Sequence, residues 1–458
     1  MAEPRLPRRP TLRHLVLAAL VVYCIRFPAY VATFVDDASS VKTPEMQGSS
    51  AELPTQAGND RETAFGKSRF SAVQHVMRQA SSPTLKTEGA QLYMDSLLAD
   101  PAAARKQLCG NFTKRSNIAV VYTCFERTEM VHKALPSIFL SNGIHDFDVF
   151  ISQDGISPSI FDDEVFSIPS NMPYVYIRHP VNLCTGLHMH FVKAFAFDIM
   201  GYDILLIVEE DNILHPQALQ LLARMAELSV NESNVGVVSL LDVDMSPLLD
   251  SGRFSTGIIP VRSTTGHLWV FGLHRAKYEA IREMMDAYYE AIKGHEYRLK
   301  HLPPLRHRIE LLMKTYGFPM DSPLSQDRFF LNSLANANFT KRYQTLFRFF
   351  QPIGSYGLHF RYNTSHFVKL FGQHMYNGAI SPSAAFDVTK DPRDIRAIQD
   401  SVRQRLNDLF QRYRERLPTE SLVNETICSV FEGRLHGHVM ARNIRGSYKT
   451  LKTLPYSA

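Results

Sequence analysis

Three consecutive carboxylates, Glu209, Glu210 and Asp211, follow the apolar run from Ile204 to Val208. Adjacent negative charges repel one another unless solvent or a cation offsets them. A set of oxygen ligands alone suits Mg²⁺ or Mn²⁺. A solvated acidic turn before the helix predicted from His215 is the simpler interpretation, but the polar ends of the neighbouring predicted strands favour a metal site.

Apolar segments that alternate with helical patterns predict an α/β fold, with a mainly parallel sheet covered by helices on both faces. In such sheets a ligand binds beyond the carboxyl ends of the strands. Arg127 follows the first predicted strand, and Gln153 and Asp154 end the second. These side chains should therefore meet the acidic triplet at one edge of the sheet. The predicted strands are 118–125, 146–154, 174–178 and 202–211, and helices are predicted through 140 and over 187–200.

Other ligand motifs are absent or secondary. The chain contains neither G-x-G-x-x-G nor G-x-x-x-x-G-K-[ST], so neither an ordinary dinucleotide fold nor a P-loop is predicted. No C-x-x-C or Cys/His zinc spacing is present. Asp242 and Asp244 form a literal D-x-D after a predicted strand over 235–241, and they are the rival metal site.

The order of these pieces resembles the luminal GT-A glycosyltransferases of the N-acetylglucosaminyltransferase I type, a group that includes the protein O-mannose β-1,2-N-acetylglucosaminyltransferase. The resemblance covers roughly residues 118–375. It implies a GT-A fold, which is Rossmann-like with a mainly parallel sheet and flanking helices, and it implies Mn²⁺, with Mg²⁺ as the alternative. It also implies a UDP-sugar donor, UDP-GlcNAc being favoured, and a glycan or glycoprotein acceptor. The matching segments are Cys124–Arg127, Ile151–Asp154, Tyr176–Pro180, Val208–Asp211, Gly354–His359 and Gln373–His374.

The resemblance also assigns roles to single residues. It places Arg127 and Asp154 at the uridine end of the donor and Asp211 on the metal. Glu209 and Glu210 would contact ribose and sugar hydroxyls or orient the metal site. The remaining assignments are a nucleotide-facing histidine, His190 with His188 as the alternative, the nucleotide-side loop with His359, and an aromatic floor of the sugar site at Trp269, for which a core role is equally open.

An inverting transfer needs a general base across the sugar from the metal, because the acceptor hydroxyl attacks in line with the departing diphosphate. The resemblance places this base at Asp327. The sequence departs there from the family's W-D-D-W pattern, since Gln326 precedes Asp327 and Arg328 follows it. Asp321 is the substitute base, and a helix N-cap is the simpler role for either aspartate.

The N-terminus predicts a membrane anchor. Residues 15–35 are apolar except for one arginine, and a helix of about 20 residues crosses a bilayer. The preceding arginines place residues 1–14 in the cytosol and the remainder in the lumen. An uncleaved signal-anchor is favoured over a cleaved signal peptide. The predicted location is a single-pass type II protein of the Golgi membrane, supported by N-x-S/T acceptors at Asn111, Asn231, Asn338, Asn363 and Asn424.

The predicted organisation is a cytosolic tail (1–14), a transmembrane anchor (15–35), a stem (36–110), a GT-A domain (111–380) and a helical appendage with a basic tail (381–458). An amphipathic helix over 394–417 should pack against the catalytic body, and a homodimer through this helix is the alternative. Cys109, Cys124, Cys184 and Cys428 lie beyond the anchor. They could form two disulfides in an oxidising lumen, and a buried free thiol is equally open for Cys124, which lies in a predicted strand.

Charge and composition limit the remaining classes. The termini, 1–14 and 428–458, carry +3 and +4 of the formal net charge of +5, which leaves −2 on residues 15–427. A nucleic-acid binder would need a basic patch on the folded body, so that class is excluded. The alternatives to the favoured enzyme are a GT-A transferase of another donor that uses Asp242 and Asp244, and a catalytically silent luminal carbohydrate-binding protein.

Overall fold

The structure is a computed structural model that describes residues 86–155, 158–162, 166, 168, 172–240, 258–263, 268–345 and 348–354, with single positions between 388 and 400. Several predicted features lie outside these residues. They are the anchor (15–35), the rival Asp242 and Asp244, the loop residue His359, the pair Gln373 and His374, and most of the helix predicted over 394–417. Within the described part of the chain, no helix is both long and apolar enough to cross a membrane.

A sheet of eight strands forms the centre of the described fold, in the order β3-β2-β1-β4-β8-β6-β9-β7. The neighbours β3–β2, β2–β1, β1–β4 and β6–β9 are parallel, whereas β4–β8, β8–β6 and β9–β7 are antiparallel. Two further strands, β5 and β10, form an antiparallel pair. The strands are β1 (Ile118–Cys124), β2 (Asp148–Gln153), β3 (Tyr174–Arg178), β4 (Ile204–Glu209), β5 (Asn212–Leu214), β6 (Val235–Ser239), β7 (Ile258–Arg262), β8 (Val270–His274), β9 (Lys341–Thr345) and β10 (Phe350–Pro352). The four strands predicted from apolar runs are therefore confirmed, as is the mixed α/β class with its parallel half.

Helices lie on both faces of this sheet, as the continuous apolar strands predict. The α-helices are α1 (Lys86–Ala99), α2 (Pro101–Cys109), α3 (Thr128–Phe139), α4 (Cys184–Ala194), α5 (Ala218–Val230), α6 (Arg275–Glu279), α7 (Arg282–Ile292), α8 (Leu305–Thr315) and α9 (Gln326–Asn336). Helix α4 continues into a π-helical turn, Phe195–Ile199, and 3₁₀ turns lie at Ile144–Asp146 and Tyr297–Leu299.

Alternate residues of each strand enter two separate cores, because successive side chains of a strand point to opposite faces. In β4, Leu206 and Val208 pack with α3 and α5, whereas Leu205 and Ile207 pack with α4, α7 and α9. The face occupied by α3 and α5 is called the α3 face below, and the other is called the α4 face. This alternation decides where the polar residues at the end of β4 point.

Helices α1 and α2 belong to the packed unit, although they lie within the segment expected to be a stem. Ala90, Met94 and Leu97 are buried in the core of the α4 face, and Ala104 and Leu108 of α2 join them. The folded part of the chain therefore begins before residue 111, where the catalytic domain was predicted to start. The spacing of Ala90, Met94 and Leu97, by four and three residues, is a helical signal that the polar composition of the segment obscures.

The three cysteines in the described residues, Cys109, Cys124 and Cys184, are free thiols. Cys124 is buried, as its interpretation as a buried free thiol predicts, and Cys109 is buried too. No disulfide joins any two of these three described cysteines, and Cys428 lies outside the described residues.

Candidate active site

The carboxyl ends of β1, β2, β3 and β4 lie side by side at one edge of the sheet. Thr123 in β1 is opposite Glu209 in β4, and Cys124 is opposite Gln153 in β2. Gln153 is in turn opposite Arg178 in β3. The predicted convergence of polar strand ends is therefore confirmed by the register.

Glu210 turns back toward the end of β1 on the α3 face. Its Oε2 accepts a hydrogen bond from the backbone N–H of Phe125 at 2.8 Å, and its carbonyl oxygen accepts one from the Tyr122 hydroxyl at 2.8 Å. Its Oε1 accepts from Nε of Arg127 at 2.6 Å. Burial nevertheless raises the pKa of Glu210, although Arg127 and the Phe125 N–H oppose the shift. The Glu210 side chain is thus held by the backbone N–H of Phe125 and by the guanidinium of Arg127.

Asp211 shares that cation. Its Oδ2 accepts from Nη2 of Arg127 at 2.9 Å, and its Oδ1 accepts from the amide of Asn212 at 3.1 Å. The Arg127 guanidinium therefore bridges two carboxylates of the acidic turn. Arg127 begins α3, directly beyond the carboxyl end of β1, which explains why it reaches this turn. The structure brings Arg127, Glu210 and Asp211 together as predicted, but the described contacts of Arg127 are with carboxylates.

The chain segment after β10 closes on Asp211. The N–H of Ile353 donates to the Asp211 carbonyl at 2.8 Å. A Cβ on Gly354 would lie 2.0 Å from Oδ2 of Asp211, so any larger residue there would have to displace the Asp211 side chain. Gly354 is the first residue of the predicted nucleotide-side loop. The segment Gly354–His359 of the resemblance therefore begins at a residue that lies against Asp211.

Asp154 is buried at the end of β2. Its Oδ1 accepts from the N–H of Gly155 at 2.8 Å and from the N–H of Leu183 at 2.6 Å. Burial raises its pKa to about 7, while the backbone donors lower it. A Cβ on Gly155 would lie 2.1 Å from the carbonyl oxygen of Val181. Asp154 thus fastens the end of β2 to the loop before α4, which is the contact the structure shows for this predicted nucleotide ligand.

The predicted histidines lie inside the protein. Oγ of Ser152 bonds Nε2 of His188 at 2.8 Å and Nε2 of His179 at 3.0 Å, and Nδ1 of His179 bonds the Tyr93 hydroxyl at 3.0 Å. The ring of His190 stacks on Tyr289 of α7, with centroids 4.6 Å apart. Burial lowers the pKa of both His188 and His190 to about 3, so the rings are neutral at neutral pH. The described contacts of His190 join α4 to α7, and none of them is with the acidic turn.

Glu209 continues the alternation of Leu205 and Ile207 toward the α4 face, on which α9 and Asp327 lie. The charge of Asp327 raises the pKa of Glu209 beyond the increase that burial causes. Burial also raises the pKa of Asp327, but Lys193, Arg328 and Lys300 oppose this shift. Glu209, Asp327, Lys193 and Lys300 are called the lysine–carboxylate cluster below. The structure therefore places the predicted base beside the predicted metal motif.

Helix α9 holds Asp327 in its first turn. The cap is Ser325, whose side chain accepts from the N–H of Arg328, so Asp327 is free of the N-cap role. The N–H of Gln326 donates to the Tyr297 hydroxyl at 2.7 Å, and its side-chain amide donates to Asp327. The substitute base Asp321 is exposed in the loop before α9.

Sequence reasoning missed Lys193 and Lys300. Both are buried, at 1% and 8% exposure. Lysine is rarely buried without a charged partner, but the sequence shows only a lysine near the end of a helix and another in a loop. Their burial depends on α9, more than 25 residues further along the chain.

Trp269 is half-buried, its carbonyl accepts from the N–H of Glu209 at 3.1 Å, and its ring meets Phe350 edge-on.

Comparison with known proteins identifies no family. No protein-family model and no curated protein matches the chain. Among solved structures, the chain is similar to S. aureus TarS 1-349, with 10% identity over 73% of this chain and 90% of that chain and a TM-score of 0.30. It is also similar to the mannosyltransferase PcManGT from Pyrobaculum calidifontis in complex with GDP-Man and Mn2+, with 14% identity over 56% and 82% of the two chains and a TM-score of 0.28. Likeness of this extent decides neither the fold nor the chemistry of this chain.

Proposed function

We propose that this chain is a metal-dependent, inverting glycosyltransferase with a GT-A fold. It would transfer a sugar, GlcNAc in the favoured case, from a UDP-sugar to a hydroxyl of a glycan or glycoprotein acceptor. One observation carries the proposal: the end of β4 offers Asp211 on one side and, through Glu209, reaches Asp327 on the other. A single in-line displacement is assisted by a metal at the departing diphosphate and by a base on the other side of the sugar.

The acidic turn fits a divalent ion that is also held by a diphosphate. Among the described residues, no group of three or more His, Cys, Asp or Glu side chains is arranged to hold a metal. Mg²⁺ and similar ions commonly bind through one or two carboxylates together with substrate phosphates. Asp211 would supply that carboxylate, because a carboxylate has about four acceptor positions and two are used by Arg127 and Asn212. When bound, the ion would stabilise the charge that builds on the leaving diphosphate.

Asp327 would act as the general base. The proton of the acceptor hydroxyl moves to the Asp327 carboxylate, and the acceptor oxygen bonds to the anomeric carbon. The bond from that carbon to the diphosphate oxygen breaks, and its electron pair leaves with the UDP. Two close carboxylates do not both ionise readily, and the cations around Asp327 favour the proton on Glu209. Neutral Glu209 can then donate a hydrogen bond to a sugar hydroxyl.

A donor screen of the full-length chain in detergent tests the proposal. Nucleotide release is measured from a set of UDP-sugars and from GDP-mannose, with acceptor glycans, with Mn²⁺ and with a chelator. We expect release from one UDP-sugar with Mn²⁺ and its loss with the chelator. Asp211→Asn and Asp327→Asn should each lower kcat by at least about a hundredfold. Glu227→Gln, an exposed carboxylate on α5, is the matched control.

The outcomes separate the alternatives. Full activity of the Asp211 variant would refute the metal assignment and favour the rival pair Asp242 and Asp244. Loss of activity in Asp321→Asn but not in Asp327→Asn would move the base to Asp321. Binding of a UDP-sugar or glycan with no release under any condition would mean a silent carbohydrate-binding protein.

We also propose that residues 15–35 anchor the chain in the Golgi membrane with the catalytic domain in the lumen. The three acceptor asparagines that the structure describes, Asn111, Asn231 and Asn338, are exposed, and exposure is what glycosylation of a folded surface requires. Enzymatic removal of N-glycans from the protein expressed in a eukaryotic cell should increase its gel mobility. A chain with no glycan at any acceptor and full protease sensitivity in intact microsomes would contradict the luminal orientation.

A further inference from the structure

We propose that Lys193 is a positioning residue for the transfer. Its ammonium faces the Asp327 carboxylate across the junction of α4 and α9 and keeps that carboxylate ionised. This inference rests on the proposed function, because it gives a role to a residue that acts through the proposed base. Lys193 itself would touch neither donor nor acceptor.

The geometry places the Lys193 ammonium against the first turns of α9. Its Nζ donates to the carbonyl of Met189 at 2.9 Å and lies 5.1 Å from the ring centroid of Phe330. Phe330 lies three residues after Asp327, so both are on one side of α9. No carboxylate of the described residues comes within ion-pair distance of Lys193. Its charge therefore acts on Asp327 from a fixed point and without an ion-pair contact, while the Gln326 side-chain amide donates to one Asp327 oxygen.

The electrostatic surroundings of Asp327 support this role. Of the cations that favour the ionised form, Lys193 has the largest effect, followed by Arg328 on α9 and Lys300 in the loop after the 3₁₀ turn. Glu209 on β4, Tyr288 on α7 and Tyr297 in the 3₁₀ turn are further titratable groups on which the charge of Asp327 acts. Burial lowers the pKa of Lys193 to about 8, and Asp327 and Glu209 resist this decrease. The ammonium is thus charged at neutral pH.

Packing alone does not account for a lysine at this position. A lysine ammonium has three donors, and one hydrogen bond is described for Lys193. A buried charge with so few partners is costly, and a hydrophobic residue of similar size is often neutral or stabilising in its place. The cost of burying the Lys193 charge is explained if that charge acts on the Asp327 carboxylate.

Lys277 provides a matched control within the same protein. It is also buried, its Nζ donates to the carbonyl of Glu232 at 2.9 Å, and it lies 4.7 Å from the ring of Phe339. Burial lowers its pKa too, but the carboxylate that acts on it is Glu232, remote from the acidic turn in sequence and fold. The two lysines differ chiefly in the presence of Asp327.

The test compares the full-length wild-type chain with Lys193→Met, Lys193→Arg and Lys277→Met, using kcat/KM for nucleotide release between pH 5.5 and 9. We expect Lys193→Met to move the acid limb of the profile upward by about one pH unit, which is roughly a tenfold loss on that limb. Lys193→Arg should keep the wild-type limb, and Lys277→Met should not move it. An unmoved limb in Lys193→Met, or an equal movement in Lys277→Met, overturns the proposal.

A second measurement does not depend on turnover. Thermal unfolding is compared for Lys193→Met in the wild-type background and in the Asp327→Asn background. The change in Tm should be more favourable in the second, because the neutral amide of the Asp327→Asn variant has no charge for Lys193 to balance. If the changes in Tm from the two substitutions are additive in an enzyme that is active, only the role of Lys193 is refuted. If the wild-type chain releases no nucleotide, the proposed function is refuted and the role of Lys193 with it.

Discussion

Replacing Arg127 by methionine should destabilise the fold, and the loss should grow with pH. Arg127 makes ion pairs of 2.6 Å with Glu210 and 2.9 Å with Asp211. The substitution keeps most of the apolar stem but removes the cation. Two carboxylates in the same turn are then left facing each other without a counter-charge.

The magnitude follows from how exposed the three side chains are. Arg127 is 21% exposed, and Glu210 and Asp211 are 10% and 17% exposed. Breaking a buried pair costs about 3–5 kcal/mol, whereas an exposed pair contributes about 0–1 kcal/mol. We therefore expect a loss of about 2–3 kcal/mol at pH 8, and a decrease in Tm of roughly 4–5 °C for a domain of this size.

The pH dependence has a definite sign. Arg127 opposes the effect of burial on Glu210, so its removal raises the pKa of that carboxyl further. A carboxyl with a folded pKa above its unfolded pKa binds more protons when folded, and stability falls as the pH rises between the two values. The deficit of the variant should thus be smallest near pH 4.5 and largest at pH 8.

Differential scanning fluorimetry at pH 5 and pH 8 measures both effects. Arg282→Met is the control, because Arg282 makes one ion pair of 2.7 Å with Asp198 and both side chains are more exposed. It should lose less than about 1 kcal/mol. An Arg127 variant that unfolds at the wild-type temperature at pH 8, or that shows equal deficits at both pH values, would refute the assignment of Arg127 as the counter-charge of the turn.

Two further substitutions test the end of β2. Gly155→Ala should cost about 3 kcal/mol in urea unfolding, because its Cβ would lie 2.1 and 2.4 Å from the carbonyl oxygens of Val181 and His179. Gly317→Ala, with no atom within 4 Å but a φ of 67°, should cost only about 1 kcal/mol, and similar losses would contradict the crowding at Gly155. Asp154→Asn should flatten the stability profile between pH 4 and 7, because burial raises the pKa of Asp154 to about 7 and its contribution is lost as the pH rises through that range. Equal slopes for wild type and variant would contradict the burial of its charge.

The parts of the fold that depend on local pattern could be predicted from sequence. The run Ile204–Val208 is apolar throughout because β4 is covered on both faces, and its acidic end must lie at the carboxyl edge of a parallel sheet. The site role of Asp327 can be predicted only through the resemblance. The burial of Lys193 cannot be predicted from sequence, because a lysine in a helix has no local sign of burial and its environment is completed by α9. The sequence of α1 and α2 predicts a stem because its polar composition outweighs a weak helical spacing.

The acidic triplet itself is explained by the pleat of β4. Glu209 follows Leu205 and Ile207 toward the α4 face, where its charge acts on Lys193, whereas Glu210 and Asp211 pair with Arg127 at the start of α3. Arg127 also lowers the pKa of Glu209, so it is the cation common to all three carboxylates. The triplet therefore has a counter-charge that the protein itself supplies. In the proposed enzyme, Asp211 would hold the metal together with the diphosphate of the donor.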